Sequence, residues 1–435
     1  MKMQRTKKAF VFAFFTLLAL LFVELIGGRI FKNQIASIKK SNKSTYKFIN
    51  IDWEKQFPYE NEITLAEEPN GLPGTEKSAM ADKVSILADK YSDVFHKFET
   101  IGNPLSTTMP MYDGISKLGY IINSRLSDPS MGDTYIRLKN GYWFKLKKSK
   151  VKDKEAEAII APYLSLQNYL KSKGIPFLYC YAPSKECAVD NEFPIGVTSY
   201  ANDNINRYVA ALEKYGVNYI DLRSNIHRDG LYHYALFYKT DHHWTVDTAL
   251  WALEIIENEL NEEYGLRIEN IREIGPFRRE VYEKAWLGSY GRAVTKHIAE
   301  PENFEMLYPE FETSFEMEIP DARVDTTGSF EDVFNIKQAI EKAQLPMYEQ
   351  VLYGNRPYVK IKNLYNQDGP RILVIKDSFG IVAAPYLALS CSELLLLDVR
   401  QNNGNFTGSI VSCINSFKPD AVITIMNNPQ KIRLN

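Results

Sequence analysis

Short apolar runs alternate with longer amphipathic stretches in two parts of this chain, residues 153–260 and 371–426. In the first part, apolar side chains recur at helical spacing over 153–173 and the pattern stops at Gly174, as at a helix C-terminus. The elements expected next are strand 175–181, helix 202–215, strand 217–222 and helix 246–260, followed in the second part by strands 371–375, 394–397 and 421–426 with helices 381–389 and 408–417. Strands that alternate with helices predict an α/β domain with a parallel, doubly wound sheet.

Residues 267–369, between these two parts, lack that rhythm. Within them, residues 304–319 alternate polar with apolar side chains. We therefore expect residues 267–369 to form a mid-chain insertion that covers one edge of the sheet.

The most apolar stretch lies near the N-terminus. Ala9–Ile26 spans 18 residues with one charged side chain, Glu24, and a run of that length nearly crosses a hydrocarbon core of about 30 Å. Four basic residues precede it, so the positive-inside rule predicts a cytoplasmic N-terminus and an extracellular remainder. A cleaved signal peptide is the alternative, but the run is long and no clear cleavage site follows it.

The sequence thus predicts three regions in a single-pass protein of the cell membrane. Residues 1–28 are the basic tail and transmembrane anchor, and the polar, proline-containing residues 29–77 are an extracellular tether. Residues 78–435 form the folded domain, which begins with a helix over 78–98.

Charge and cysteine content exclude some functions. Lys and Arg number 52, Asp and Glu number 54, and the formal charge of −2 provides no basic field for nucleic acid. No CxxC occurs, so a zinc ribbon or thioredoxin-type site has no support. For the four cysteines, disulfides and buried free thiols both remain open; these are Cys180, Cys187, Cys391 and Cys413.

The end of one expected strand carries a candidate nucleophile. Residues 372–375 run directly into Lys376-Asp377-Ser378 and then into a helix. Ligands of an open parallel sheet meet the carboxyl ends of its strands, so Ser378 would present an exposed hydroxyl beside helix N-terminal amides, as acyl transfer requires. The alternative is that Asp377 or Ser378 only caps the helix.

A second candidate segment, residues 240–245, reads Thr-Asp-His-His-Trp-Thr. If it is extended, Asp241 and His243 share one face and His242 points the opposite way. A carboxylate that orients an imidazole supplies the other two members of a Ser-His-Asp triad. A metal site and a solvated loop are the alternatives; adjacent histidines diverge in an extended segment, which counts against the metal.

Polar residues also follow other strands, including Lys185, Arg400 and Asn427. Each can bind substrate oxygens or stabilise developing charge, and each can equally belong to an ordinary capped loop.

Taken together, TDHHWT and a downstream strand followed by DSFG resemble the DHHW family and, more broadly, alginate O-acetylation proteins of the AlgX and AlgJ type. The resemblance covers about residues 141–427. It implies an SGNH-hydrolase-like, flavodoxin-like three-layer fold in which Asp-x-His-Trp precedes the serine. No carbohydrate-binding module is evident after the catalytic domain, unlike in the alginate proteins.

The resemblance also assigns roles. Ser378 would be the nucleophile, His243 the general base and Asp241 the orienting acid. The residues implied in oxyanion or substrate binding are Gly380, Lys185 of Pro183-Ser184-Lys185, Arg400 of Asp398-Val399-Arg400, Ser289 of 286–291, and Asn427.

The implied activity is O-acetyl transfer or acetyl-ester hydrolysis on hydroxyls of a cell-envelope or exported polysaccharide, through an acyl-enzyme and without a metal or organic cofactor. Transfer outside the membrane requires a delivered acetyl donor, so a membrane-bound O-acyltransferase is the implied partner. The alternatives are a catalytically silent polysaccharide-binding or assembly protein of the same fold and a zinc-dependent deacetylase.

Overall fold

The computed structural model describes residues 130–131, 134–189, 192–194, 197–294, 298–334, 347–400 and 408–434. The expected anchor, the tether and the helix over 78–98 lie outside these residues. In the part of the chain that is described, no helix has the length and apolar character needed to cross a membrane.

The strands are numbered in chain order. They are β1 Ser130–Met131, β2 Tyr135–Arg137, β3 Trp143–Lys145, β4 Phe177–Tyr181, β5 Tyr219–Asp221, β6 Phe277–Trp286, β7 Glu302–Pro309, β8 Phe315–Ile319, β9 Val324–Gly328, β10 Tyr358–Asn363, β11 Arg371–Lys376, β12 Glu393–Asp398 and β13 Ala421–Met426.

The helices are numbered in the same way. They are α1 Asp153–Lys171, α2 Ala201–Tyr215, α3 Leu222–Arg228, α4 Val246–Tyr264, α5 Ser289–Val294, α6 Phe330–Val333, α7 Met347–Gln350, α8 Gly380–Ser390 and α9 Ile410–Phe417, with 3₁₀ turns at His233–Leu236 and Pro320–Ala322. Every helix and strand expected over 153–260 and 371–426 is present with its ends shifted by a few residues.

The main sheet has the order β5-β4-β13-β11-β12-β10-β8-β9. Neighbours among the first five strands are parallel, whereas β10, β8 and β9 pair antiparallel. The expectation of a parallel sheet is therefore correct for five strands and wrong for the whole sheet, which is mixed. The short β8–β9 connection allows only antiparallel pairing, because parallel neighbours need a long crossover.

The insertion lengthens the sheet instead of covering its edge. Strand β10 pairs with β12 and places Val359 opposite Leu396, while β6 and β7 form a separate two-stranded sheet. In β8, Phe315, Met317 and Ile319 are buried and the two intervening glutamates are exposed. This period of two is that of a strand with one face against the core.

The parallel strands lie between two layers of helices. In β4, Leu178 and Cys180 pack in the cluster that includes α4 and α8, whereas Phe177, Tyr179 and Tyr181 pack in the cluster that includes α1, α2 and α9. Alternate side chains of a strand point to opposite faces, so a strand that is apolar throughout can be buried on both. The predicted three-layer arrangement is present in this part of the sheet.

The register of the parallel strands brings three loops to one edge. Lys376 at the end of β11 is opposite Ile425 of β13, and Met426 is opposite Tyr181 at the end of β4. The segments that follow these strands therefore meet, and they carry Ser378, Asn427 and Lys185.

All four cysteines are free thiols. Cys180 and Cys391 are fully buried among apolar side chains, where burial raises the pKa of each thiol.

Candidate active site

A tight loop carries the two histidines and the aspartate. An antiparallel bridge joins Phe237 to Trp244, and the N–H of Tyr238 donates to the carbonyl of His243 at 3.2 Å. Thr245 then caps α4 by accepting the N–H of Thr248 at 3.3 Å. The bridge and the cap together hold residues 239–243 as a turn at the edge of the sheet.

Three side chains of the site form a continuous chain of hydrogen bonds. His243 Nε2 lies 2.7 Å from Ser378 Oγ, and His243 Nδ1 lies 2.6 Å from Asp241 Oδ1. Because a carboxylate only accepts, Nδ1 carries the ring proton and Nε2 turns its lone pair toward the serine hydroxyl. Ser378 is 7% exposed, so it is more enclosed than its strand-end position suggested.

Asp241 is buried and receives three donors. Its Oδ1 also accepts the backbone N–H of His243 at 3.0 Å, and its Oδ2 accepts the N–H of Ser289. Burial would raise the pKa of Asp241, but the adjacent His242 and His243 and these hydrogen bonds lower it well below its usual value. The aspartate is therefore ionised at neutral pH and can stabilise an imidazolium at His243.

His242 does not point away from His243, as the extended reading of this segment required. The two rings have centroids 3.7 Å apart and planes inclined by 36°. The reason is that residues 239–243 turn, so alternation of side chains along an extended strand does not apply. His242 Nδ1 lies 3.0 Å from Ser289 Oγ and 3.3 Å from Asp241 Oδ1.

The turn fits closely against residues 287–291. Gly288 donates its N–H to Thr240 Oγ1 at 2.8 Å, and Gly291 donates to the Thr240 carbonyl at 2.8 Å. A Cβ at Gly288 would lie 2.3 Å from Asp241 Cβ, so only glycine allows this approach. The N–H groups of Gly288 and Ser289 are thus committed to holding Thr240 and Asp241.

Glu302 at the start of β7 anchors the other side of the turn. Its carboxylate accepts the N–H of Lys239 at 2.6 Å and that of Thr240 at 2.7 Å. Burial raises the pKa of Glu302, although these hydrogen bonds and nearby Lys185 act in the opposite direction. No sequence motif singled out Glu302, because its partners are the N–H groups of Lys239 and Thr240 and the Thr240 hydroxyl, all more than 60 residues away.

The segment around Ser378 is held by the Asp377 side chain and by two donors to the Phe379 carbonyl. Asp377 is not the side-chain cap of α8; its Oδ1 accepts the N–H of Phe379 at 2.8 Å and its Oδ2 accepts that of Asn427 at 2.9 Å. Burial raises the pKa of Asp377. The carbonyl of Phe379 accepts Trp244 Nε1–H at 3.1 Å and the Tyr348 hydroxyl at 3.3 Å.

Tyr348, on α7, is a site residue that sequence reasoning missed. Its ring stacks on that of His243, with centroids 4.0 Å apart and planes inclined by 11°. It lies in the mid-chain insertion, where no strand–helix rhythm marked a position near the site.

Lys185 packs against the turn formed by residues 239–243. Its Nζ donates to the carbonyls of Trp143 at 3.0 Å and Lys239 at 3.2 Å, between the rings of Tyr142 and Tyr290. Burial lowers its pKa to about 7, although two nearby carboxylates act in the opposite direction. Lys185 therefore ties β3 to the histidine turn.

Arg400 belongs to a buried ion-pair network. Its Nε lies 2.9 Å from Asp398 Oδ1 and its Nη2 lies 2.5 Å from Asn355 Oδ1. Asp398 Oδ2 also lies 3.3 Å from Lys376 Nζ. The network neutralises Lys376, which stands two residues before Ser378.

Asn427 and Gly380 also have local partners. Asn427 Nδ2 donates to the carbonyls of Ala182 at 3.1 Å and Pro183 at 2.9 Å, and the Gly380 N–H donates to the Asp377 carbonyl at 3.3 Å. Asn427 thus joins the loops after β4, β11 and β13. A role for it, Gly380, Lys185 or Arg400 in substrate binding stays a prediction.

Asp241, His242 and His243 also satisfy one geometric condition for a metal site. One ligand atom from each lies within 4.8 Å of the others. The argument that adjacent histidines diverge is therefore wrong for this segment. A metal on His243 Nδ1 or Nε2 would replace its hydrogen bond to Asp241 or to Ser378, because each ring nitrogen has one position to offer.

Comparisons with known proteins agree with this fold. Residues 141–306 match the family model described as "SGNH hydrolase-like domain, acetyltransferase AlgX"; this segment includes Asp241 and His243 and ends before Ser378. A search of curated proteins found no match.

Several solved structures are similar. For Bacillus cereus PatB1 the TM-score is 0.56 and the sequence identity 22%, and the match covers 68% of this chain and 97% of PatB1. For PatB1 with a sulfonyl adduct the TM-score is 0.54 and the identity 20%, and the match covers 66% of this chain and 95% of that one. For a DHHW family protein from Eubacterium siraeum the TM-score is 0.49 and the sequence identity 18%, and the match covers 67% of this chain and 89% of that one. The resemblance inferred from the sequence is thereby confirmed: over residues 141–306 the chain is similar to the SGNH hydrolase-like domain of AlgX-type acetyltransferases, and its fold is that of PatB1.

Proposed function

We propose that this protein is an O-acetyltransferase or acetylesterase that uses Ser378 as nucleophile, His243 as general base and Asp241 as the orienting carboxylate. The observation that carries the proposal is the chain of short hydrogen bonds, 2.7 Å from Ser378 Oγ to His243 Nε2 and 2.6 Å from His243 Nδ1 to Asp241 Oδ1. These distances are within the reach that proton transfer and orientation require.

The first half-reaction follows from this geometry. His243 Nε2 takes the Ser378 proton as Oγ attacks the carbonyl carbon of an acetyl ester. The bond from that carbon to the donor's oxygen then breaks, and the donor leaves as a phenolate or takes the proton from His243 and leaves as an alcohol. An acetyl-serine remains, and a hydroxyl group or water resolves it in the second half-reaction. Transfer and hydrolysis differ in which of these two reaches the site.

The oxyanion of the tetrahedral intermediate needs N–H donors. In the described part of the chain, the Ser378 N–H has no hydrogen-bond acceptor, while those of Asp377 and Phe379 are both engaged. The Ser378 N–H is therefore the first donor we assign to the oxyanion.

The proposed acceptor is a polysaccharide of the cell envelope or an exported polysaccharide, and no nucleic acid is involved. The proposed acetyl donor is delivered by a membrane-bound O-acyltransferase. Anchoring in the cell membrane through Ala9–Ile26 belongs to the same proposal and rests on the length and flanking charges of that run.

The experiment is to incubate the purified full-length chain with p-nitrophenyl acetate and to follow p-nitrophenolate release and intact mass. We expect a burst and an acetyl adduct in the wild type and neither in Ser378→Ala. Ser412→Ala, a change at an exposed serine on α9, is the matched control. Equal rates and no adduct in all three proteins would contradict the proposal and favour the silent binding-protein alternative.

A zinc-dependent deacetylase is the second candidate, favoured by the clustering of Asp241, His242 and His243. It predicts about one zinc per chain in the purified protein and loss of activity with a chelator. The serine mechanism predicts full activity after chelation and none in Ser378→Ala.

A further inference from the structure

His242 is the second imidazole of the site, and the proposed mechanism leaves it without a role. Its ring centroid is 3.7 Å from that of His243, whose Nε2 is 2.7 Å from Ser378 Oγ. His242 therefore lies directly beside the pair that would form the acyl-enzyme.

The surroundings of His242 Nδ1 favour one tautomer of the ring. Its Nδ1 lies 3.3 Å from Asp241 Oδ1, the same oxygen that accepts from His243 Nδ1, and 3.0 Å from Ser289 Oγ. The negative charge of the Asp241 carboxylate favours the tautomer with the ring proton on Nδ1, in which Ser289 Oγ accepts from that N–H. The lone pair is then on Nε2.

The Nε2 side of the His242 ring is accessible to solvent. The His242 side chain is 36% exposed, against 5% for His243, and among the described residues Nε2 has no hydrogen-bond partner. The imidazole is neutral at pH 7, since burial of part of the ring, the adjacent His243, Lys185 and Lys147 lower its pKa despite the opposing effect of Asp241. A neutral imidazole with a free, accessible nitrogen beside the reacting serine is what a general base needs.

From this geometry we infer that His242 Nε2 is the base that activates the incoming hydroxyl in the second half-reaction, while His243 acts on Ser378. The inference rests on the proposed function. It divides the proton transfers between two imidazoles that share the carboxylate of Asp241.

The steps balance for p-nitrophenyl acetate. In acylation the Ser378 proton moves to His243 Nε2, the bond from Oγ to the acetyl carbon forms, and p-nitrophenolate leaves as an anion. In resolution the incoming O–H proton moves to His242 Nε2 as its oxygen attacks the acetyl carbon. The bond from that carbon to Oγ then breaks, Oγ takes its proton back from His243, and His242 releases its proton to solvent.

The test is pre-steady-state kinetics of the full-length chain with p-nitrophenyl acetate, comparing wild type with His242→Gln and His242→Ala. The burst reports acylation, and the steady-state rate reports resolution by water. We expect an unchanged burst amplitude and rate constant, with resolution slower by roughly 10²-fold or more. Imidazole in solution is expected to restore resolution in His242→Ala, which a purely structural role would not explain. Exposed His227→Ala is the matched control, expected to behave as wild type.

Each other outcome contradicts the inference in a distinguishable way. A normal burst with resolution within about twofold of wild type in both variants assigns both steps to His243 and overturns the inference alone. Loss of the burst in both variants, with circular dichroism unchanged, places His242 in acylation and overturns its assignment to resolution. Absence of a burst and of an adduct in the wild type overturns the proposed function and the inference with it.

Discussion

The indole Nε1–H of Trp244 donates a 3.1 Å hydrogen bond to the carbonyl oxygen of Phe379. Trp244 directly follows His243 and Phe379 directly follows Ser378. This bond therefore joins the two segments that supply the proposed base and nucleophile, which are separated by 135 residues of sequence. It sets the distance between His243 and Ser378 without contacting either reacting atom.

Trp244→Phe is expected to lower kcat by roughly tenfold to a hundredfold, because small displacements of reacting groups strongly reduce rate. Stability should fall by about 1 kcal/mol from the lost hydrogen bond and by roughly 1–2 kcal/mol more from the cavity that the smaller ring leaves, because Trp244 is fully buried. The Tyr348 hydroxyl still donates to the same carbonyl. The control is Trp251→Phe, at a tryptophan on α4 whose indole N–H makes a similar bond to Asp229. Equal kcat losses in the two variants would show that the Trp244 bond has no special part in positioning.

Asp241→Asn is expected to reduce kcat by roughly 10⁴, by analogy with the same change in serine proteases. An asparagine amide can donate to His243 Nδ1, which would put the ring proton on Nε2 and remove the lone pair that faces Ser378 Oγ. Steady-state kinetics with p-nitrophenyl acetate measures the effect, and Asp247→Asn, at an aspartate that binds Arg279, is the control. A loss below tenfold for Asp241→Asn would remove the aspartate from the mechanism.

Gly288→Ala is expected to lower kcat at least a hundredfold. The new Cβ would lie 2.3 Å from Asp241 Cβ and 2.6 Å from the Thr240 carbonyl oxygen. The turn must then move, and Asp241 with it. Gly230→Ala is the comparison: nothing lies within 4 Å of its Cβ, and its φ of +64° makes alanine unfavourable by about 1 kcal/mol. Thermal unfolding and activity should thus separate the two variants, with activity lost only in Gly288→Ala.

Glu257 makes stability depend on pH. It is fully buried on α4, where it lies 2.8 Å from Ser390 Oγ and accepts the Ile271 N–H at 2.7 Å. Burial raises its pKa to about 8, so the folded state holds the proton at pH values where the unfolded chain has lost it. The stability from this group is complete below the unfolded value of 4.5 and is lost as the pH rises toward 8.

Glu257→Gln should therefore stabilise the protein at pH 8 more than at pH 5. Each pH unit between the two pKa values is worth up to about 1.4 kcal/mol, and a glutamine amide can donate to Ser390 while its oxygen accepts from Ile271. Denaturant unfolding at both pH values measures the difference, with exposed Glu262→Gln on the same helix as the control. A gain in stability that is equal at pH 5 and pH 8 would contradict the assignment.

The elements of the parallel part of the sheet were predictable because their signals are local. Apolar spacing over α1 and α4 and the continuous apolar runs of β11 and β13 each lie within about 20 residues. The place of the insertion in the sheet was not predictable. Strand β10 pairs with β12, about 35 residues away in sequence, and alternation along a strand does not identify its partner.

The site shows the same division. The residue types of Asp241, His243 and Ser378 were apparent from their positions next to expected strands and helices, and the structure brings them together. The direction of the His242 side chain was not apparent from the sequence, because it depends on whether the backbone is extended or turned. That choice is made by Glu302 and Gly288, whose contacts with the turn are tertiary.

By itself, the sequence determined the strand–helix order, the burial of the parallel strands on two faces, and the presence of an Asp-His pair and a serine at loop positions. Only the tertiary structure decided that the sheet is mixed, that the cysteines are free thiols, and that two imidazoles share one carboxylate. The physical reason is range: periodicity and capping act between residues a few positions apart. Hydrogen bonds such as those from His243 to Ser378 and from Trp244 to Phe379 join atoms 135 residues apart, and they exist only once the parallel strands have brought their carboxyl ends to one edge.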